Sequence, residues 1–232
     1  MPQSSPSATT VRVPNDASAV RLRTAHRGDG CEVRRLADIS TGGPVELREN
    51  RVPVDHAVNA FGGQFPVEPV GMARIVVAER QTEGTVCGLV SIVPPMRLME
   101  QYKTEGKRAV HELAATMAEI DSLAVDADVR GQGVGAALLA EAEQWLADRG
   151  VRIATAKVAR GNLPLMRWYR RRGYLIALQQ EPIWLPLRTF ELSCNDGDDG
   201  YQLAVKGLGG VEMCRVRDGQ ESVVTARHLH SR

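Results

Sequence analysis

Residues 129–146, VRGQGVGAALLAEAEQWL, set Gly131, Gly133 and Gly135 at alternate positions directly ahead of an apolar-periodic run. Backbone amides at a helix N-terminus have no intrahelical partner and carry partial positive charge. Glycine lets a phosphate reach them without meeting a Cβ. The stretch therefore reads as a phosphate cradle, with Arg130 adding a full positive charge. Upstream, Glu119 and Asp121 share a period of two with Leu123 and Val125, so these side chains point to one face of a strand. An acid on the strand leading into such a loop is a candidate general base. Downstream, Tyr169 offers a phenol that is neutral at pH 7, with an ordinary pKa of about 10, and able to donate. The plain alternative makes Glu119 a solvated strand start, Asp121 a local hydrogen-bonder and Tyr169 a core aromatic beside Trp168.

Three kinds of loop begin this way. A Walker-type loop needs Gly-Lys followed by Ser or Thr, and no such pair follows these glycines. A dinucleotide fingerprint, GxGxxA, is satisfied by Gly131, Gln132, Gly133, Val134, Gly135 and Ala136. Two details argue against it. Residues 126–130, DADVR, intervene between Val125 and the first glycine, and residues 151–160 contain no acid to hold a ribose.

The third reading rests on a resemblance. VDADVRGQGVGA, residues 125–136, resembles the acyl-CoA loop of the GNAT superfamily of N-acetyltransferases, through Arg130, Gly133 and Gly135. The surroundings resemble the family as well: SLAV before the loop, then Asn162, Tyr169 and Gly173-Tyr174 beyond the next strand. Leu165 stands where the family often has Ala. The resemblance implies an α+β GNAT fold, a mixed and mostly antiparallel sheet with helices on both faces. It implies acetyl-CoA as co-substrate, with no metal, and a primary amine on a small molecule or protein as acceptor, acetylated by direct attack in a ternary complex. Residues 130–136 would hold the pyrophosphate. The strand amides of Leu123 and Val125 would hold the pantetheine and polarise the thioester. Asn162 would touch the cofactor as well as cap its helix. Glu119 lines up with the base glutamate of the histone acetyltransferase branch, and Tyr169 with a general-acid tyrosine. A second reading keeps the fold and discards turnover, leaving an acyl-CoA-binding sensor; the retained Glu119 and Tyr169 favour the enzyme.

The elements that must position these groups follow from periodicity. Residues 20–25 read as a strand and 31–39 as a helix with Val33, Leu36 and Ile39 on one side. Residues 54–61 read as a short helix broken by Gly62-Gly63, and 73–79 and 85–93 as a hairpin turning near Glu83-Gly84. Residues 96–117 are mostly helical or irregular with a break at Gly106, and 120–125 form a strand. The strongest helix is 133–149, with Leu138, Ala142, Trp145 and Leu146 on one face and Gly150 as its cap. A strand at 151–158, a helix at 163–172 between Asn162 and Gly173, and a strand at 174–178 complete the core. The order is mixed, α+β with one parallel pair rather than uniformly alternating. Residues 188–228 alternate like a β-meander, with Gly209-Gly210 and Asp218-Gly219 as hairpin turns and NDGDDG, residues 195–200, as a turn rather than a calcium loop. Expected divisions are a disordered arm at 1–18, the acetyltransferase domain at 19–187, and a β-rich extension at 188–232 that completes or extends the sheet and is a candidate homodimer contact.

Bulk properties set the remaining expectations. The 232 residues are 43% hydrophobic and 25% charged with a formal net charge of +1, so any basic patch must be local. That near-neutral balance argues against a nucleic-acid partner, although Arg167, Arg170, Arg171 and Arg172 crowd one short helix. One or two of these arginines could face the 3′-phosphate of CoA. No apolar run approaches the roughly 18 residues of a membrane span. Cys31, Cys87, Cys194 and Cys214 form no CxxC pair and suit a reducing compartment, so the expected location is cytoplasmic. The resemblance further implies that acceptor choice lies with residues 41–70 and 179–200, where Glu46, Glu49 and Asp55 favour a cationic amine.

Overall fold

The computed structural model describes residues 10–11, 20–41, 54–197, 199–219 and 221–230. In chain order the elements are β1 (Thr10–Val11), β2 (Val20–Thr24), α1 (Gly30–Thr41), α2 (Val54–Phe61), β3 (Gln64–Pro66), β4 (Met72–Arg80) and β5 (Val86–Val93). Then come α3 (Met96–Gln101), α4 (Lys107–Thr116), β6 (Met117–Val125), α5 (Val134–Asp148), β7 (Ile153–Ala159), α6 (Leu163–Arg170) and β8 (Leu175–Ile176). The last five are β9 (Ile183–Pro186), β10 (Glu191–Cys194), β11 (Tyr201–Gly207), β12 (Glu212–Asp218) and β13 (Glu221–Arg227). Of the arm expected at 1–18, Thr10 and Val11 pair with Arg21 and Val20, and the rest lies outside the described residues.

The chain divides into two compact units. The first holds the described residues up to Pro66 together with Met72–Ile92 and Ser122–Ala142. Its strands run β1-β2-β4-β5 and then the second half of β6, with β3 beside β4. Helices cover both faces. Val33, Leu36, Ala37 and Val58 of α1 and α2 pack with Ile75, Val77, Leu89 and Ala124 on one side. On the other, Leu138 of α5 lies over Gly88 beside Ala78 and Val125. One expectation fails here. Ile39 is 41% exposed, and Ala37 takes the third place on the buried face of α1. Six residues beyond Val33 an α-helix has turned about 240°, whereas four residues bring it nearly back.

The second unit comprises Val67–Gly71, Val93–Asp121 and Glu143–Arg232. The first half of β6 pairs parallel with β7, and β7 is followed in the sheet by β11 and then β8, both antiparallel contacts. A second sheet has the order β10-β9-β13-β12. One core joins these layers, with Leu113 and Met117 against Ile153, Val205, Ile183, Leu185 and Val224, all nearly inaccessible. Residues 188–228 therefore do not form one meander. β11 enters the first sheet through seven pairs with β7, while β10, β12 and β13 join β9, a strand the alternation of the sequence did not single out. Asp218-Gly219 does turn the β12–β13 hairpin, whereas Gly209-Gly210 links strands of different sheets. In NDGDDG, where Asp198 lies outside the described residues, Gly197 stands in a turn and the Asn195 side chain accepts from its N–H at 2.9 Å. No helix among the described residues is long and apolar enough to cross a membrane.

Candidate functional site

The residues singled out from the sequence fall into two groups, one in each unit. In the first unit, β6 ends at Val125, and the Asp126 N–H donates to Cys87 of β5 at 2.9 Å. Successive backbone groups on a strand face opposite edges. The N–H groups of Leu123 and Val125 therefore point away from β5. On that same edge the Val125 carbonyl accepts from Arg130 Nε at 3.3 Å. The side chains of Leu123 and Val125 are half-buried while Ser122 and Ala124 are buried, so the expected alternation of faces holds.

Beyond Val125 the chain makes a single 3-10 turn over Ala127–Val129 and reaches the glycines. Gly131 and Gly133 have φ of +77° and +88°, in the left-handed region that favours glycine. A Cβ at either would meet nothing within 4 Å, so the backbone there faces open space. The first α5 bond runs from the Ala137 N–H to the Gly133 carbonyl at 3.0 Å. The N–H groups of Val134, Gly135 and Ala136 precede it and have no acceptor within the helix. Gln132 folds back to the Asp128 carbonyl at 2.8 Å. At the far end of α5, Gly150 closes the helix at φ +77°, with bonds from Gly150 to Ala147 and from Val151 to Leu146.

Two acids between β6 and the glycines prove to be anchors. Asp126 receives Arg35 of α1 through two bonds at 2.6 and 3.2 Å, and Asp128 receives Arg80 of β4 at 2.7 Å. The Asp126 carboxylate holds the Arg35 guanidinium above its ordinary range. Reading DADVR as a spacer overlooked this. The available signal was two acids at alternate positions in a short loop, in a chain with arginines on preceding elements.

In the second unit, Glu119 is half-buried on β6 and pairs in register with Thr155 of β7, while Asp121 is exposed on the same face. The ladder joins Met117 through Ile120 to Ile153 through Ala156. Asn162 caps α6, its side chain accepting from the Leu165 N–H at 3.1 Å. Tyr169 is 4% exposed, with its ring edge-on to Trp168 at 5.0 Å and to Tyr174 at 4.9 Å. The helix closes through Gly173 to Arg170 and Tyr174 to Tyr169 backbone bonds, which brings the two tyrosines together. Burial pushes the Tyr169 phenol upward, the Glu143 carboxylate adds to this, and Arg172 partly offsets it. Tyr174 is raised for the same first two reasons, and its hydroxyl is buried without a hydrogen-bond partner of good geometry. Glu143 in turn accepts from Lys206 of β11 at 2.6 Å. Neither Glu143 nor Lys206 was singled out from the sequence. Glu143 lies one helical turn beyond buried Leu139, and an acid flanking the buried face of a helix calls for a partner.

The arginine-rich stretch is divided in role. Arg172 stacks 3.7 Å above the Trp168 ring and donates to its carbonyl, while Arg167, Arg170 and Arg171 are exposed. Among the described residues no group of three or more His, Cys, Asp or Glu is placed to hold a metal ion. Asp55 lies 3.8 Å from Arg34, and Glu46 and Glu49 fall outside the described residues.

Comparison with known proteins bears on the whole arrangement. The Acetyltransferase (GNAT) family matches residues 59–174, half of the chain. No curated protein matches it. Among solved structures, the GNAT domain of S. lividans PAT is 16% identical with a TM-score of 0.55, over 87% of this chain and 97% of that one. A GCN5-related N-acetyltransferase from Kribbella flavida is 18% identical with a TM-score of 0.51, over 82% and 98%. N-acetylglutamate synthase from Neisseria gonorrhoeae, complexed with coenzyme A and N-acetyl-glutamate, is 17% identical with a TM-score of 0.51, over 82% of this chain and 35% of that one. With its mixed sheet, helix-covered faces and glycine loop ahead of α5, the chain belongs to the GNAT family of acetyltransferases.

Proposed function

We propose that this acetyltransferase moves an acetyl group from acetyl-CoA to a primary amine, on a small molecule or a protein, by direct attack. The observation that carries the reading is the loop from Arg130 to Ala136, where left-handed glycines expose a backbone ahead of helix amides with no internal acceptor. Such a loop suits the pyrophosphate of CoA, since several amides can donate to it at once. Bound acetyl-CoA supplies the activated thioester. Leu123 and Val125 donate their N–H groups to its carbonyl oxygen, where they act most strongly as charge grows. Asn162, exposed at the start of α6, adds a contact to the cofactor.

Glu119 takes the proton of the incoming amine, directly or through water. An alkyl amine has a pKa of about 10.4, so freeing its lone pair at pH 7 costs roughly 4–5 kcal/mol, which makes a positioned base valuable. Tyr169 is assigned to the leaving thiolate. A thiol has a pKa of about 8.5, below that of any raised phenol, so complete transfer from Tyr169 runs uphill. Tyr169 therefore stabilises the thiolate by donating a hydrogen bond, and the proton that finally rests on sulfur comes from the acylated amine.

Thiol release from acetyl-CoA with a panel of amines tests the proposal. Turnover on at least one amine that falls when Glu119 becomes Gln supports it. Tight CoA binding without turnover on any amine supports the silent sensor instead.

A further inference from the structure

The second unit contains a cavity of about 720 Å³ that the acetyl-transfer reading leaves unused. It is walled by α4, by the connection from α5 into β7, by the segment after β9 and by the chain's last described residues. Lys107, Arg108, Arg152 and Arg188 line it, joined by His111 and His230. One carboxylate, Glu112, shares the wall, and its oxygens are occupied. Glu112 accepts from the N–H groups of Arg188 and Thr189 at 2.5 and 2.8 Å and from the Thr189 hydroxyl. Four permanent cations thus meet one carboxylate that serves as a bracket for the chain. In a protein with a net charge of +1, this is a strong local concentration.

Three further observations point to an anion. Among the described residues, the side chains of Lys107, Arg108 and Arg188 make no ion pair. Lys107 and Arg108 also stand in the first turn of α4, where the helix dipole opposes positive charge, with no acid in that turn and no side-chain cap on Gly106. Finally, the walls are fixed in advance. Arg152 donates to the His228 carbonyl at 3.1 Å, His230 meets the Pro186 carbonyl at 2.7 Å, and Leu229 between them is buried. Cations gathered against their own repulsion in a preformed concavity are stabilised by a ligand of opposite charge.

We propose that this cavity binds a small molecule carrying two or more phosphate charges. The guanidinium forks of Arg108 and Arg188 and the ammonium of Lys107 match the several oxygens and the charge of such a group better than those of a single carboxylate. The volume falls within the ordinary range for a small-molecule site. None of the residues that line the cavity belongs to the loop at residues 130–136, so the two can be titrated separately.

The test is calorimetric titration of inorganic pyrophosphate into the full chain saturated with CoA, so that the cradle cannot report. One equivalent should bind, with affinity falling as salt rises. Arg108→Glu and, separately, Arg188→Glu should each weaken binding at least tenfold while leaving CoA affinity unchanged. Arg217→Glu, at an exposed position of β12 and equal in charge change, should alter pyrophosphate binding less than twofold. The proposal is overturned if the CoA-saturated chain does not bind pyrophosphate, or if Arg217→Glu weakens it as much as Arg108→Glu. Citrate binding as tightly as pyrophosphate would overturn the phosphate assignment.

Discussion

Replacing Gly133 by Ala isolates the conformational requirement of the loop. Gly133 sits at φ +88° with nothing within 4 Å of an added Cβ, so the substitution introduces backbone strain without a clash. Holding a non-glycine residue in this region costs about 1–2 kcal/mol. The loop can escape the strain by relaxing, but CoA must then restore the binding geometry, and the apparent Kd rises about 5- to 30-fold. Gly150 supplies the control. It stands at the other end of the same helix at φ +77°, again with nothing within 4 Å. Gly150→Ala carries a similar strain within a helix end and should lower the melting temperature by about 2–8 °C at about 2–4 °C per kcal/mol for a chain of this size, whereas relaxation of the loop leaves Gly133→Ala nearer the parent. Calorimetric titration with CoA, beside thermal melts of both variants, separates the two effects. Equal CoA affinity for Gly133→Ala and Gly150→Ala would refute the assignment of the loop.

Further outcomes concern other groups. Tyr169→Phe should lower kcat about 100-fold while CoA affinity holds; an unchanged rate across pH would remove Tyr169 from the chemistry. Arg35→Ala should raise the Kd for CoA about three- to fivefold, because it releases the Asp126 anchor of a partly exposed pair, and titrations at low and high salt should show the gap narrowing as salt rises. Burial alone would raise the Glu181 carboxyl, but Arg215, Ser222 and the Leu178 N–H outweigh it and hold the group below the ordinary carboxylate range. A depressed folded pKa stabilises at pH values above the unfolded pKa and loses that contribution as pH falls through the folded one. Glu181→Gln should therefore cost about 3 kcal/mol at pH 7, roughly 6–12 °C in melting temperature, because the carboxylate side chain is only 1% exposed. Melts taken downward from pH 7 should show the variant and the parent converging once pH drops below about 4.

Local signals in the sequence located most elements. Asn162, Gly150 and Gly173 mark helix ends because capping is a matter of a few neighbouring residues, and each closes its helix as expected. The period of two on β6 put Glu119, Asp121, Leu123 and Val125 on one face for the same reason. The misses are of two kinds. Ile39 fell outside its face because a spacing of three was read as periodic, when the helix turns past it by the second step. The tail was misread because pairing is not local. Tyr201 to Gly207 alternate like any strand, and nothing within them says that the partner is β7 rather than β10. The anchors Arg35–Asp126 and Glu143–Lys206 were hidden for that reason too, since their partners are 91 and 63 residues apart.

The position of β11 has a consequence in time. Its seven pairs cover the edge of β7, yet Tyr201 follows Ala159 by more than forty residues. At 5–20 residues per second, a ribosome delivers that cover roughly 2–10 s after β7. Until then the growing chain carries a strand with an open flank, as would any fragment cut at the end of the family match at residue 174. Synthesis of this enzyme is therefore exposed to mispairing during a defined interval, which closes only once Tyr201–Gly207 have been made.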